Sequence, residues 1–112
     1  VNPFGKVPTL KHNGGMIVES GAIMMYLADL FPEKNMAPPI GTPARGRYYE
    51  WFNIVLVALE PAVIAIPRSA RPDAAREEMR AILNAMETML GEPYVIGEQF
   101  TAADVLLHGE LW

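Results

Sequence analysis

Four residues, His12-Asn13-Gly14-Gly15, decide the shape of the first part of this chain. They separate two β-favouring runs, residues 7–12 and 16–18. Asn-Gly between such runs closes a tight hairpin, because both residues tolerate a positive φ at little steric cost. Residues 20–31 place Ile23, Leu27, Leu30 and Phe31 at helical spacing. Phe31-Pro32 ends that helix, since a residue before proline leaves the α region. The opening unit therefore reads strand, tight turn, strand, helix.

Two dipeptides eleven residues apart mark the ends of this hairpin. Val7-Pro8 leads into the first strand, and Glu19-Ser20 joins the second strand to the helix. A helix that opens with free backbone N–H groups and a hydroxyl is a ready site for a carboxylate. A Val-Pro step facing it presents backbone polar groups to an extended peptide. Together they predict a small anionic peptide as ligand. The structural alternative is that Ser20 only caps its helix and Glu19 only favours the positive helix end. Pro8 has an alternative too, as an ordinary trans proline at a strand start.

Residues 32–42 hold three prolines and one glycine and read as a linker. Thr42 can cap the next helix, with Pro43 at its first position. Tyr48, Trp51, Phe52, Val55, Leu59, Ala62, Val63 and Ile66 then keep helical spacing for about six turns. Pro61 should kink this helix, and Pro67 ends it. Arg71-Pro72-Asp73 starts another, with Met79, Ile82, Leu83, Met86 and Leu90 as its apolar stripe and Gly91 as its end. After a loop over 92–100, Thr101-Ala102-Ala103-Asp104 reads as a capping box. It places the Thr101 hydroxyl on the Asp104 amide and the Asp104 carboxylate on the Thr101 amide. Phe100 is placed to staple onto Val105.

Charge and composition exclude several partners. The net charge is −4, with acids and bases interspersed, so no basic block favours nucleic acid or an anionic membrane. The longest apolar stretch, residues 54–66, is broken by Glu60-Pro61 and is too short to cross a bilayer. With no cysteine and two histidines, no metal site is expected, and the chain suits a reducing compartment. His12, beside the turn, is expected to be exposed and inert, and His108 lies far from the motifs. The chain opens on Val1 in a turn-rich segment and ends on Leu111-Trp112 within an apparent helix. It reads as an internal piece of a longer chain.

Taken in order, NPFGKVPTL, VESGAIMMYLADLFP, the proline-rich linker, LEPA and YVIGEQFTAADV resemble a cytosolic glutathione transferase, most closely the bacterial type. The resemblance implies an α/β plus all-α fold. Residues 1–31 would be the back half of a thioredoxin-like domain (a β-hairpin and helix), 32–42 a linker, and 43–112 the start of an all-helical C-terminal domain. It implies that Glu19 and Ser20 hold the γ-glutamyl end of glutathione, Ser20 on the α-carboxylate and Glu19 on the α-ammonium. Val7 resembles the residue whose backbone pairs with the cysteinyl part, and Pro8 resembles the family's cis-proline. Lys6 is placed to meet the glycyl carboxylate, unless it is simply a solvated loop lysine. The second substrate would bind against the first long helix. Of Tyr48, Tyr49, Trp51 and Phe52, three are expected in the core or a dimer interface, and one, Tyr49 or Phe52, in the acceptor pocket. Arg45, Arg47, Arg68 and Arg71 are given no role.

The implied activity joins the glutathione thiolate to an electrophile, with glutathione as co-substrate and no other cofactor, in a cytoplasmic homodimer. The alternatives are a glutathione-dependent isomerase or disulfide reductase, or a non-catalytic interaction module. The family's thiol-activating residue belongs to a front half outside this span, so no catalytic residue is assigned. Made alone, the 112-residue piece is expected to be inactive and poorly soluble, because the strand over 7–12 would keep an unpaired edge.

Overall fold

The computed structural model describes residues 2–111. Its first unit is the expected hairpin and helix. Strands β1 (Thr9–His12) and β2 (Gly15–Val18) pair antiparallel, with Thr9 opposite Val18 and His12 opposite Gly15. Asn13 and Gly14 turn the chain at φ 48° and 80°, the left-handed pair that a two-residue hairpin needs. β1 begins two residues later than the β-favouring run, because Pro8 has no N–H to give to a ladder. Helix α1 (Ser20–Leu30) follows directly and packs on both strands. His12 is half-buried rather than exposed, and its Nδ1 lies 2.7 Å from the Tyr26 hydroxyl, which ties the hairpin to α1.

The linker is fixed by a residue with no expected role. Arg45, in helix α2 (Pro43–Ile54), is only 4% exposed. A buried guanidinium needs partners, and it finds them on two elements. Nη1 donates to the Pro38 carbonyl at 3.0 Å, and Nη2 donates to the Asp29 carboxylate at 2.6 Å. Burial pulls the Arg45 pKa down most strongly, yet the Asp29 bond and charge, with Tyr49, raise it overall. The guanidinium also lies over the Tyr48 and Tyr49 rings at 5.1 and 4.9 Å. Thr42 caps α2 as expected, accepting from the Arg45 amide at 3.2 Å.

The kink expected at Pro61 takes the form of a π turn. Pro61 cannot donate to the carbonyl of Val57, and its ring crowds that carbonyl. The backbone responds by widening over Val55–Leu59, with the Glu60 amide bonding the Val55 carbonyl five residues back. Helix α3 (Glu60–Ala65) and a 3₁₀ turn (Ile66–Arg68) complete the run. From Pro43 to Arg68 it spans 26 residues, longer than the apolar stretch 54–66. By length and composition it is long and apolar enough to cross a bilayer. Its inner face has another use. Tyr48, Trp51, Phe52, Val55 and Leu59 are all at or below 1% exposed, packed with Met86, Val95, Ala102, Ala103 and Leu106.

Helix α4 (Pro72–Glu87) stops short of Gly91. The Thr88 hydroxyl bonds the Ala85 carbonyl at 2.7 Å at that end. Leu90 therefore falls outside the helix, 47% exposed. Gly91 serves a different purpose. A Cβ there would strike the Gly97 amide and sit 2.7 Å from the Tyr94 carbonyl. Only a bare Cα lets the 91–97 loop close on itself.

Helix α5 (Ala102–Leu111) opens with a modified capping box. The Asp104 carboxylate accepts from the Thr101 amide at 2.8 Å, as expected. The Thr101 hydroxyl, however, serves the Ala103 amide (3.3 Å) rather than that of Asp104, which bonds the Thr101 carbonyl. The other Asp104 oxygen accepts from the Val95 amide at 2.8 Å, so one side chain both caps α5 and anchors the preceding loop. Phe100 packs edge-on against Tyr94, with centroids 5.4 Å apart. A hairpin with one helix, followed by packed helices, is the α/β plus all-α arrangement the sequence implies.

Candidate functional site

The site begins at a turn held by Asn2. This side chain is buried; its Oδ1 accepts from the Phe4 amide at 2.8 Å and its Nδ2 donates to the Lys6 carbonyl at 2.7 Å. Gly5 closes the turn at φ 64°. The turn delivers Lys6 and Val7 to the surface, where Val7 is 92% exposed. The Val7–Pro8 bond is cis, as the resemblance implies for this position. Both residues stand ahead of the β1–β2 ladder, so the Val7 backbone is not committed to it.

On the facing wall, Glu19 joins β2 to α1 at φ 71°, ψ 126°. That is a sparsely allowed conformation for a residue with a Cβ. Glu19 occupies the cap position of α1, and its side chain makes no capping bond. Ser20 is the first helical residue, not the cap, and its hydroxyl carries no hydrogen bond among the described residues. The structural alternative for Ser20, a cap bond to its own helix, is therefore not realised. The first amides of α1 have no partner within the helix, and Ser20 and Gly21 line one cleft.

Lys6, Val7, Pro8, Glu19 and Ser20 line one cleft of about 330 Å³, together with Gly21, Leu56 and Glu60. A larger groove of about 780 Å³ runs along the linker past Asp29, Pro38 and Arg45. Its Arg45 and Asp29 are already paired with each other at 2.6 Å. In the smaller cleft Lys6, Glu19 and Glu60 form no ion pair among the described residues. Unpaired charge beside a helix N-terminus makes the smaller cleft the better binding site. Its donors, acceptors and exposed backbone suit a short, extended, zwitterionic chain.

The two aromatic candidates lie elsewhere. Phe52 is 1% exposed and belongs to the core. Tyr49 is 42% exposed, but its ring meets Tyr48 and Arg45, away from the cleft lining. Beside Tyr49, Tyr48 is fully buried; burial pushes its phenol up to about 12, and its hydroxyl has no partner among the described residues. The long helix instead presents Leu56 and Glu60 to the cleft, four residues apart on one side. Gly21 permits this approach: a Cβ there would strike the Leu56 side chain and reach Phe52 at 3.5 Å. Sequence reasoning did not single out Asn2, Gly21, Leu56 or Glu60 for the site. The signals were an Asn-Pro turn start, a glycine directly after Ser20, and a carboxylate interrupting an apolar stretch.

Known proteins share both parts of this fold. The family model for the glutathione S-transferase N-terminal domain matches residues 1–35, and that for the C-terminal domain matches residues 51–112. Glutathione S-transferase GstA of Escherichia coli O157:H7 is 32% identical over 113 residues, covering 96% of this chain and 56% of that protein. A glutathione transferase from Methylococcus capsulatus superposes with a TM-score of 0.86 at 31% identity, over 99% of this chain and 58% of that one. A sphingomonad glutathione S-transferase, solved in complex with glutathione, gives 0.82 at 30% identity, over 98% and 58%. The chain thus spans about half the length of the relatives it matches.

Proposed function

Because this chain belongs to the glutathione S-transferase family, we propose that its cleft holds glutathione while the thiolate attacks an electrophile. On this reading the Ser20 hydroxyl and the first amides of α1 take the γ-glutamyl carboxylate. Glu19 takes the α-ammonium, and the Val7 backbone pairs with the cysteinyl unit. Lys6 takes the glycyl carboxylate, and Pro8 shapes the chain beside it. The sulfur forms a bond to the electrophilic carbon, and the displaced electron pair leaves with the departing group. The protein's contribution is to fix the tripeptide and favour its thiolate near neutral pH. Residues 1–31 would act as the glutathione-binding part, 32–42 as the linker, and 43–112 as the wall for the second substrate, within a cytosolic homodimer.

One observation carries the reading. Two segments eleven residues apart bring five polar or backbone-exposing positions to one cleft, where the Ser20 hydroxyl and the Glu19 carboxylate are left unpaired. The test is retention of the intact protein on immobilised glutathione, followed by assay with a chromogenic electrophile. Retention lost in a Glu19→Ala, Ser20→Ala double variant, together with conjugation by the wild type, supports the proposal. Retention without conjugation favours the isomerase or reductase alternative. No retention contradicts the assignment of the cleft.

A further inference from the structure

We propose that Glu60 sets the charge preference of this cleft, favouring a cationic electrophile over an anionic one; the inference rests on the glutathione reading above. Glu60 opens α3 directly after the π turn and lines the same cleft as Lys6 and Ser20. It is partly buried and forms no ion pair among the described residues. The charges of the bound tripeptide do not match it. Two ligand carboxylates are taken by Lys6 and by Ser20 with the α1 N-terminus, and the ligand ammonium by Glu19. The Glu60 carboxylate is left over, on the wall that the second substrate must touch.

The surroundings make that wall more negative still. Glu110, on α5, has its pKa raised first by burial and then by the charge of Glu60, so a second carboxylate lies behind the first. Among the described residues, Lys6 is the one cation in the cleft lining. A nearby carboxylate also opposes the thiolate, and a cationic second substrate offsets that repulsion. Beside Glu60, Leu56 contributes an apolar surface. The chemistry that fits is an electrophile with an apolar body and an ammonium or guanidinium end.

The test uses three S-substituted glutathiones of equal length, ending in a methyl, an amine or a carboxylate. Their binding to the intact protein is measured by calorimetry, and each charged conjugate is referred to the methyl one. The wild type should prefer the amine over the carboxylate by about 3- to 10-fold, the size expected of a partly exposed charge contact. Glu60→Gln should bring that ratio close to unity. Raising the salt on the wild type should also shrink it, a readout that needs no variant to fold. A wild type without preference, or a preference kept in Glu60→Gln, overturns the role of Glu60 alone. Failure of the methyl conjugate to bind overturns the glutathione reading and this inference with it.

Discussion

The strained backbone at Glu19 yields the sharpest quantitative test. At φ 71°, ψ 126° a Cβ is crowded, whereas glycine is not. Replacing Glu19 with alanine and with glycine removes the carboxylate in both cases, so the effect on the helix dipole cancels between them. Only the Cβ differs. Strain of this kind costs about 1–3 kcal/mol. Glycine returns about 0.5–1 kcal/mol of that through greater freedom of the unfolded chain. At the centre of these ranges, Glu19→Gly should be more stable than Glu19→Ala by about 1.3 kcal/mol. At a urea m-value near ~1.5 kcal/mol/M the midpoints would differ by ~0.8 M. Both variants should lose glutathione affinity. The glycine variant would then be a more stable protein with a poorer site, as expected where strain serves a ligand. Alanine equal to or more stable than glycine would refute the reasoning, because the conformation would then carry no Cβ penalty.

Three further outcomes follow from the packing. Tyr48 ionises near 12 in the folded chain and near 10 when unfolded. Its stabilising effect is thus complete below pH 10 and falls by about 2–3 kcal/mol as the pH rises from 10 to 12. Tyr48→Phe should flatten that stretch of the stability curve. It should cost less than about 1 kcal/mol at pH 7, since the hydroxyl has no partner to lose among the described residues. Asp104→Ala should destabilise by about 2–3 kcal/mol, more than an ordinary cap, because the Val95 amide loses its acceptor as well. Glutathione affinity measured on the folded fraction should stay within twofold of wild type, about 0.4 kcal/mol. Gly91→Ala should cost about 1–3 kcal/mol by thermal melt, because its Cβ meets backbone atoms that have no room to retreat.

The hairpin was legible because its cause is local: Asn13-Gly14 sets two dihedrals and thereby the register. The same holds for Thr42, whose cap bond reaches three residues. The parts that were not legible depend on where distant segments meet. Pro61 shows that one helical bond is lost, but not that the carbonyls regroup into a π turn. The direction of Glu60 follows from that regrouping. Asp104 was readable as a cap. Its bond to Val95 exists only because the loop folds back on Gly91. Arg45 looked like a solvated helix-end charge until α1 and the linker brought Asp29 and Pro38 to it. Tyr49 and Phe52 lie on one helix three residues apart, and the contact surface of the neighbouring helices decides which is core. Gly21 combines both cases: its place beside Ser20 is plain in the sequence, and its need to be glycine depends on Leu56.

Glutathione should bind in the cleft between the Asn2–Pro8 turn and the start of α1. Amide chemical-shift mapping of the intact protein titrated with glutathione tests it most directly. The largest saturable shifts should fall at Val7, Ser20 and Gly21, with smaller ones at Lys6 and Glu19. Shifts concentrated along Asp29, Ala37 and Arg45 in the larger groove, or no saturable shift at all, would contradict it.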